Sequence, residues 1–508
     1  MKKYIIIFSV SMVLLSSCKK SFVEQNNPNA TTVTDFFTSE NSVLLAVNGA
    51  YSTLRSSNNI GEGSGLFTDE RSDDTGTNDS QSNSGEPFQF GNFSILPSNT
   101  YLKAHWVSLY QTIAQCNSIT SNIDRVTFAK QETKVQYLAE TKFIRALMYF
   151  QLVRKWGDVP LVTVQLNTTD EIKASTYRQP QAAVYAQIVA DLKDALSSTT
   201  LPNLQSGAGV GRVSKAAINA LLGQVYLTMA STLTTGGTDN LNNANTYLTA
   251  AYNMRPFGSL SEIAYADVFD VSKKTRNVEM ILPIVNKQGD ITYSSSIAAN
   301  NQPLGETINS RKAGLGVGGN VTPDLINDYE ANDPRKAFSV KYAANLQVQD
   351  WFVTKYRDAS DGAGVNGYGG NDTPLMRYAD IILMLAEVNM DLGNSSQAIQ
   401  FLDMVRARAG VPLYAQARTD ANYNAKYPTL KLAILHERRV ELAFEHQRWF
   451  DLLRFFSTPE LVAFFQAKSQ SAFGNAKLAN FSSKDRFYPI PFDEYKLDPI
   501  KMYQNPGY

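Results

Sequence analysis

Long segments with the hydrophobic period of an α-helix constrain the fold of this chain more than any other feature of its sequence. The strongest one covers residues 131–156 and ends at Gly157-Asp158-Val159-Pro160, a helix stop signal followed by an apolar step. Other segments of the same kind cover residues 42–54, 106–125, 180–196, 214–230, 243–254, 376–392, 396–409 and 430–456. The sequence therefore predicts a mostly α-helical fold with little β-structure.

Two pairs of these helices share a pattern of small and large residues. The pattern consists of Leu222-Gly223-x-x-Tyr226 with Ala244, Leu248 and Ala251, and of Leu385-Ala386 with Ala398 and Leu402. This is the tetratricopeptide pattern, in which small residues let paired helices approach closely. Residues 146–150 and 182–196 fit a third unit. We therefore predict a scaffold of tetratricopeptide-like helix pairs inside one large fold.

The composition is that of a folded protein without an electrostatic bias toward polyanions. Hydrophobic residues make up 43% and aromatic residues 11% of the 508 residues, which is enough for a large core. Lysine plus arginine and aspartate plus glutamate both number 47, so the formal net charge is +0. Because nucleic-acid binding requires a cationic surplus on at least one face, we expect no nucleic-acid partner.

The N-terminus has the pattern of an exported lipoprotein. Lys2 and Lys3 precede a twelve-residue apolar run, residues 4–15, which is too short to span a bilayer and is typical of a signal peptide. Small residues stand directly before Cys18, as in the bacterial lipobox, where the cysteine thiol is lipidated. An ordinary secretory signal peptide with a chance cysteine is the alternative. If Cys18 carries lipid, Cys116 has no partner for a disulfide.

The rest of the chain is interpreted as a tether and one domain with three long loops. We predict a signal peptide at residues 1–17, a lipid anchor and tether at 18–34, and a helical domain at 35–508. Segments rich in Gly, Ser, Asn and Asp that also hold aromatic residues lie at about 58–106, 286–320 and 351–373. Loops this long inside a compact domain are usually functional, so we expect the ligand site on them.

The sequence contains partial matches to cofactor and metal motifs, but without the neighbouring residues or elements that such sites require. Residues 314–319 and 362–367 match G-x-G-x-x-G, but neither stretch follows an apolar strand or opens a helix, so both are predicted to be loops. His436-Glu437 begins like a zincin motif but places Val440 where the second histidine belongs. We therefore expect no cofactor and no metal.

The segment 430–456 carries the densest set of charges in the chain. Glu437, Glu441 and Glu445 recur every four residues among arginines and large apolar side chains. Side chains at this spacing lie on one helix face, where opposite charges pair. We interpret the segment as a structural charge network rather than an active site.

Several motifs occur in a fixed order along the mature chain. They are an Asn-Asn-Pro at 26–28, Arg145-Ala-Leu-x-Tyr-Phe, Trp156-Gly157-Asp158-Val159-Pro160, Gly211-Arg212-Val-Ser-Lys215, Asp333-Pro334-Arg335, Met376-Arg377-Tyr378-Ala379-Asp380, Glu437-Arg438-Arg439-x-Glu441-Leu442, Arg448-Trp449-Phe450-Asp451-Leu452 and Asn505-Pro506-Gly507-Tyr508. With the lipobox, this set resembles the SusD/RagB family of outer-membrane nutrient-binding lipoproteins of Bacteroidetes-type bacteria. The resemblance spans essentially the whole mature chain.

The resemblance implies a surface-exposed, lipid-anchored protein of the outer membrane with a single, mostly helical fold. It also implies a TonB-dependent transporter of the SusC/RagA type as partner. In that family the repeats form the scaffold that contacts the transporter, and excursions on the other side shape the ligand site. The shared motifs are structural, so no ligand-binding residue is assigned by motif.

We therefore predict a non-catalytic protein that binds oligosaccharide or polysaccharide for uptake. Sugar rings stack on aromatic faces, and sugar hydroxyls need polar partners. The candidate stacking residues in the loops are Phe67, Phe90, Trp106, Tyr293, Trp351 and Tyr368. The candidate polar partners are Asp73, Asp74, Asn78 and Arg311.

Two alternatives stay open at this point. An exported glycoside hydrolase would draw its two acids from residues 69–74, where Asp69, Glu70, Asp73 and Asp74 cluster. A binder of peptides or of another nutrient would use similar polar groups in the same loops.

Overall fold

The computed structural model describes residues 33–76, 85–314, 321–468 and 480–508. The predicted signal peptide, Cys18, most of the tether and Asn78 lie outside the described residues.

Helices account for most of the described chain. They are α1 (Val33–Phe36), α2 (Glu40–Thr53), α3 (Phe88–Gly91), α4 (Thr100–Asn122), α5 (Gln131–Trp156), α6 (Thr169–Ser175), α7 (Gln181–Leu196), α8 (Lys215–Thr232), α9 (Gly237–Asn253), α10 (Tyr265–Phe269), α11 (Ile297–Asn300), α12 (Pro323–Asp328), α13 (Pro334–Ser339), α14 (Tyr378–Asp391), α15 (Ser395–Ala409), α16 (Tyr414–Ala417), α17 (Ala421–Lys426), α18 (Leu430–Glu441), α19 (Arg448–Phe455), α20 (Thr458–Gln466) and α21 (Phe492–Tyr495). The predicted helical fold class is confirmed. None of the helices in the described part of the chain combines the length and apolar content needed to cross a bilayer.

Strands are short and pair two by two. They are β1 (Val159–Pro160), β2 (Arg178–Gln179), β3 (Met280–Ile284), β4 (Val340–Tyr342), β5 (Trp351–Val353) and β6 (Thr373–Arg377). β1 pairs with β2, β3 with β6 and β4 with β5, each antiparallel. The β3–β6 pair carries the chain directly into α14, so Met376 and Arg377, which the sequence assigns to that helix, belong to a strand instead.

Local sequence explains where the long helices begin and end. α2 starts with a capping box between Ser39 and Ser42, and the Ser214 side chain caps α8. α5 covers the predicted residues 131–156, and Gly157 ends it with a φ of 75°, a conformation that favours glycine.

The predicted helix pairs are confirmed. α8 packs on α9, α14 on α15, and α5 on α7. A Cβ on Gly223 of α8 would lie 2.5 Å from Leu248 Cγ of α9, so only glycine permits this approach. The main core lies between α2, α4, α5, α7, α8 and α9, and a second core joins α14, α15 and α18.

The single helix predicted over residues 430–456 is wrong. α18 ends at Glu441 and α19 starts at Arg448, and between them Phe444 and His446 have φ values of 64° and 63°. Lys355 Nζ donates to the carbonyls of Glu441 at 3.2 Å and Ala443 at 2.9 Å. A buried cation from elsewhere in the chain therefore satisfies carbonyls that a continuous helix would have used itself.

Candidate functional site

Two of the predicted ligand loops pack together into one unit. The backbones of Ser295 and Gly369 exchange hydrogen bonds of 2.7 and 2.9 Å, and Gly289 N–H donates to the Tyr368 carbonyl at 2.9 Å. Lys287 N–H donates to the Tyr293 carbonyl at 2.8 Å. Tyr293 and Tyr368 are therefore attached to the same turn. We call residues 286–314 and 340–372 together the loop excursion.

Arg311 lies in this unit as well. Its guanidinium pairs with Asp361, and its Nε donates to the Ala359 carbonyl at 2.8 Å. Gly367, with a φ of 70°, allows the chain around Tyr368 to approach this segment, since a Cβ there would lie 2.9 Å from Ser310 Oγ. The Arg311 side chain is 43% exposed and therefore accessible to a ligand.

The β4–β5 hairpin adds two further aromatic residues. Tyr342 and Trp351 are paired across the hairpin with ring centroids 5.5 Å apart, and Tyr342 is 46% exposed. Asn309 donates to the Val353 carbonyl at 2.8 Å, which attaches the hairpin to the rest of the excursion. Sequence reasoning missed Tyr342 because it lies between two predicted loops, and strands of three residues are too short to show a period-2 pattern.

Tyr293 borders a pocket of about 330 Å³ where the excursion meets α2 and α5. Its ring is 51% exposed and lies 5.5 Å from the Arg55 guanidinium. Arg55 is held by the Val285 carbonyl at 2.5 Å and by Asn286 Oδ1 at 2.7 Å. Apolar side chains of Phe143, Ile144, Leu282 and Leu375 form part of the wall. The pocket combines an aromatic face, apolar walls and hydrogen-bond donors, which is the usual make-up of a small-ligand site.

A second tyrosine in this pocket is immobilised by a buried acid. The Tyr51 hydroxyl donates to Glu140 at 2.7 Å, and the Arg212 guanidinium lies 5.0 Å from the Tyr51 ring. Burial, together with the charge of Glu140, raises the pKa of Tyr51 well above its usual value, so the hydroxyl stays a donor. Sequence reasoning missed Tyr51 and Arg212 because they lie on α2 and in the turn before α8, outside the predicted loops.

The three candidate stacking residues of the first predicted loop do not reach the surface. Phe67, Phe90 and Trp106 are buried, at 1%, 0% and 3% exposure. Phe67 stacks on His105 with centroids 3.9 Å apart, and the Trp106 ring meets Trp156 edge-on at 5.2 Å. The prediction that these three rings are stacking platforms for a ligand is wrong, since they fill the core.

Asp73 and Asp74 are also inaccessible, so their prediction as ligand partners is wrong. Asp73 pairs with Arg448 at 2.7 Å and Lys468 at 2.9 Å, and Asp74 pairs with Arg439 at 2.7 Å. Burial opposes the ionisation of Asp73, but these cations outweigh it and hold its pKa well below the usual value. Burial and the neighbouring Asp73 charge raise the pKa of Asp74 to about 6. The pair is part of the protein interior, where no sugar reaches it.

The charge network predicted around α18 is confirmed as buried and paired. Arg377 contacts Glu279, Glu441 and Glu445 at 2.7 Å each, and all four side chains are at most 4% exposed. Arg335 extends the network to Asp333 at 2.8 Å and Glu437 at 2.6 Å. These contacts join α18 to β6, α13 and the segment before β3.

Glu330, His436 and Glu437 have the spacing of a metal site, with ligand atoms within 4.8 Å of one another. Arg406 Nη1 lies between the two carboxylates, 2.8 Å from each. Its guanidinium takes the position and the charge that a metal ion would have, so the cluster is better described as an ion-pair network.

We expect Glu330 to make stability depend on pH. Burial opposes its ionisation, but hydrogen bonds from His436 and Arg406 outweigh burial and lower the Glu330 pKa to about 2. A lowered pKa adds stability above the unfolded-state pKa, and this stability is lost as the pH falls from about 4.5 to 2. The difference in unfolding free energy between the parent and Glu330→Gln, measured with urea, should be smaller at pH 2 than at pH 6. The decrease should be at most about 3 kcal/mol, because solvent partly screens this side chain. Exposed Glu132→Gln is the matched control, and an equal pH profile for both variants would contradict the assignment.

The fold is a scaffold of tetratricopeptide-like helix pairs that carries an exposed loop excursion, and comparison with known proteins identifies its family. A model described as "SusD family" matches residues 343–508, and one described as "Starch-binding associating with outer membrane" matches residues 21–227. SusD-like protein P2 of Formosa agariphila is 27% identical over 534 aligned residues, covering 100% of both chains. The chain belongs to the SusD/RagB family, as the sequence motifs predict.

Solved structures agree with this assignment. One described as "Laminarin binding SusD-like protein" has 26% sequence identity, covers 93% of this chain and 100% of its own, and has a TM-score of 0.72. A surface glycan-binding protein A from Bacteroides thetaiotaomicron shares the fold, with a TM-score of 0.74, 19% identity and coverage of 93% and 100%.

Proposed function

We propose that this protein binds oligosaccharide or polysaccharide at the loop excursion without hydrolysing it, and presents it to a TonB-dependent transporter for uptake. The observation that carries the proposal is the presence of Tyr293, Trp351 and Tyr368 with Arg311 on one excursion. Apolar faces of sugar rings stack on aromatic rings, while guanidinium and amide groups bind their hydroxyls. The laminarin-binding relative supports this ligand class.

The structure favours binding over hydrolysis. The acids from which a hydrolase would draw its catalytic pair include Asp69, Asp73 and Asp74, and all three are buried. Asp69 pairs with His446 at 2.9 Å, and the other two are held by arginines. A glycosidase needs both carboxyl groups at the sugar bond, and these side chains face the interior.

A panel of polysaccharides and oligosaccharides tests the proposal. Affinity electrophoresis and calorimetry should detect binding of at least one glycan, and a parallel assay for reducing ends should stay at background. Release of reducing ends would support the hydrolase instead. If members of a peptide library bind and no glycan does, the ligand is a peptide rather than a glycan.

We further propose that Cys18 carries the lipid that holds the protein on the outer membrane. The small residues before Cys18 support this, and so does the family description, which names association with the outer membrane. Several acyl chains hold a protein stably, whereas one holds it marginally.

Replacing Cys18 with alanine is expected to release the protein from membranes, because no other segment of the sequence is long and apolar enough to anchor it. Membrane fractionation and carbonate extraction of cells that express the variant measure this. Cys116→Ala is the control and should stay in the membrane fraction. A Cys18→Ala protein that resists carbonate extraction would show that the anchor lies elsewhere.

The proposed transporter partner is of the SusC/RagA type. The family resemblance supports it, with the helix pairs as the side that contacts the transporter and the loop excursion left for the ligand. Purification from outer membranes through a tag on this chain should recover a TonB-dependent transporter in stoichiometric amount. Recovery of this chain alone under mild detergent would contradict the partnership.

A further inference from the structure

A cavity of about 50 Å³ lies where α5, α8, β6 and the start of α19 meet. It is far below the roughly 300 Å³ at which pockets for organic ligands begin, but it exceeds the about 10–15 Å³ that one water requires. It is therefore sized for a monatomic ion with a water or two, and it is distinct from the pocket beside Tyr293, with which it shares the lining residue Leu375.

Two consecutive cations at the end of α5 line this cavity. Arg154 is 7% and Lys155 is 2% exposed. Across the described residues, neither side chain forms an ion pair with a carboxylate. Arg154 lies between the rings of Phe150 and Phe450, 3.9 and 3.6 Å from their centroids. Its Nε donates to the Phe150 carbonyl at 3.2 Å, but its Nη1 has no hydrogen-bond partner among the described residues. A buried charge without a partner costs free energy, so this arrangement calls for a counter-charge.

The positive charge of Lys155 is also without a carboxylate partner among the described residues. Its Nζ donates to His105 Nε2 at 2.8 Å, and His105 Nδ1 donates in turn to the Asn58 carbonyl at 2.8 Å. Burial and the charge of Arg154 lower the pKa of Lys155 well below its usual value, which is what an absent counter-charge produces. Burial likewise lowers the pKa of Arg154 to about 9.

The remaining lining adds donors and little negative charge. Side chains of Ser64, Thr68, Gln151, Gln224 and Gln447 border the cavity. Among the described residues, the lining holds one carboxylate, Glu445, which pairs with Arg377 at 2.7 Å and Lys355 at 2.5 Å. His446 pairs with Asp69 at 2.9 Å. The Glu445 charge is thus neutralised by other residues, and His446 has a partner of its own, so the described lining keeps a cationic excess.

We propose that this cavity binds a small monatomic anion of the chloride type, held between Arg154 and Lys155. The ion supplies the counter-charge that both side chains lack and accepts hydrogen bonds from the surrounding donors. It holds α5 to α19 and to β6, the strand on which the loop excursion returns to the scaffold.

Halide replacement tests the proposal on the full chain purified in detergent. At constant ionic strength, replacing gluconate with chloride should raise Tm by about 1 °C for each tenfold rise in chloride above the Kd. Crystals soaked in sodium bromide should show an anomalous peak in the cavity. Lys155→Met should lose the chloride dependence of Tm, whereas Lys142→Met, on the same helix with Asp194 as its partner, should keep it.

Two results would overturn the proposal. Bromide peaks only on the outer surface, with the same chloride effect in Lys155→Met as in the parent, would mean an adventitious ion only. A cavity that holds water without anomalous density, and a Tm indifferent to chloride, would mean that water alone solvates the two cations. If Lys155→Met fails to fold, the bromide map of the parent protein decides between these outcomes.

Discussion

Replacing Arg377 with methionine is expected to destabilise this protein by at least about 3–5 kcal/mol, the loss typical of breaking a buried ion pair. The Arg377 guanidinium compensates Glu279, Glu441 and Glu445 at once and also donates to the Glu441 carbonyl at 2.9 Å. Methionine fills much of the same volume but leaves three buried acids short of positive charge. Because folded domains are stable by only about 5–15 kcal/mol, we expect little folded protein.

The folded yield and the midpoint of urea unfolding measure this effect. Exposed Arg125→Met is the matched control and should unfold like the parent. Arg448→Ala should cost less than Arg377→Met, since Arg448 pairs closely with a single buried acid, Asp73, which also keeps Lys468 at 2.9 Å and Arg439 at 3.3 Å. An Arg377→Met protein that unfolds like the parent but no longer binds glycan would place the ligand site in this network and contradict its structural role.

Local sequence was sufficient to predict most of the helical scaffold. The period of α5, its glycine stop and the small residues that face each other in α8 and α9 act between neighbours in the chain or in one helix pair. The break after α18 was not predictable in this way. It depends on Lys355 and Arg377, which reach Glu441 and Glu445 from 60 to 90 positions away in sequence. Helical periodicity reports only the spacing of residues within one segment, so it does not indicate such distant partners.

The candidate site was predictable only in part for a related reason. Loop composition correctly predicted that Tyr293 and Arg311 are exposed, because polar, glycine-rich segments remain outside the core. It failed for Phe67 and Phe90, which a loop of similar composition folds into the interior. Whether an aromatic side chain in a loop is exposed to a ligand or buried in the core depends on the elements that pack around it. For Phe67 and Phe90 these elements are α4, α5 and the C-terminal segment.

Removing one aromatic ring of the loop excursion is expected to weaken glycan binding by about thirty-fold. Stacking residues in binding sites often contribute on the order of 2 kcal/mol each, which corresponds to that factor. Tyr293→Ala, Trp351→Ala and Tyr368→Ala should each lower the affinity measured by calorimetry, while their Tm values stay near that of the parent. Binding should depend weakly on salt, since a neutral glycan has no charge for salt to screen.

The matched control is Tyr101→Ala, which removes an exposed tyrosine on α4 that is 42% exposed and lies outside the excursion. It should bind like the parent. If none of the three excursion variants weakens binding, the platform assignment is wrong.

If moderate salt abolishes binding while the rings matter little, the ligand is anionic. Arg311, an exposed cation of the excursion, and Arg55, the cation next to the Tyr293 ring, then become the groups that recognise it. Arg311→Met would reduce affinity and flatten its salt dependence in that case, whereas for a neutral glycan it would leave the salt dependence unchanged.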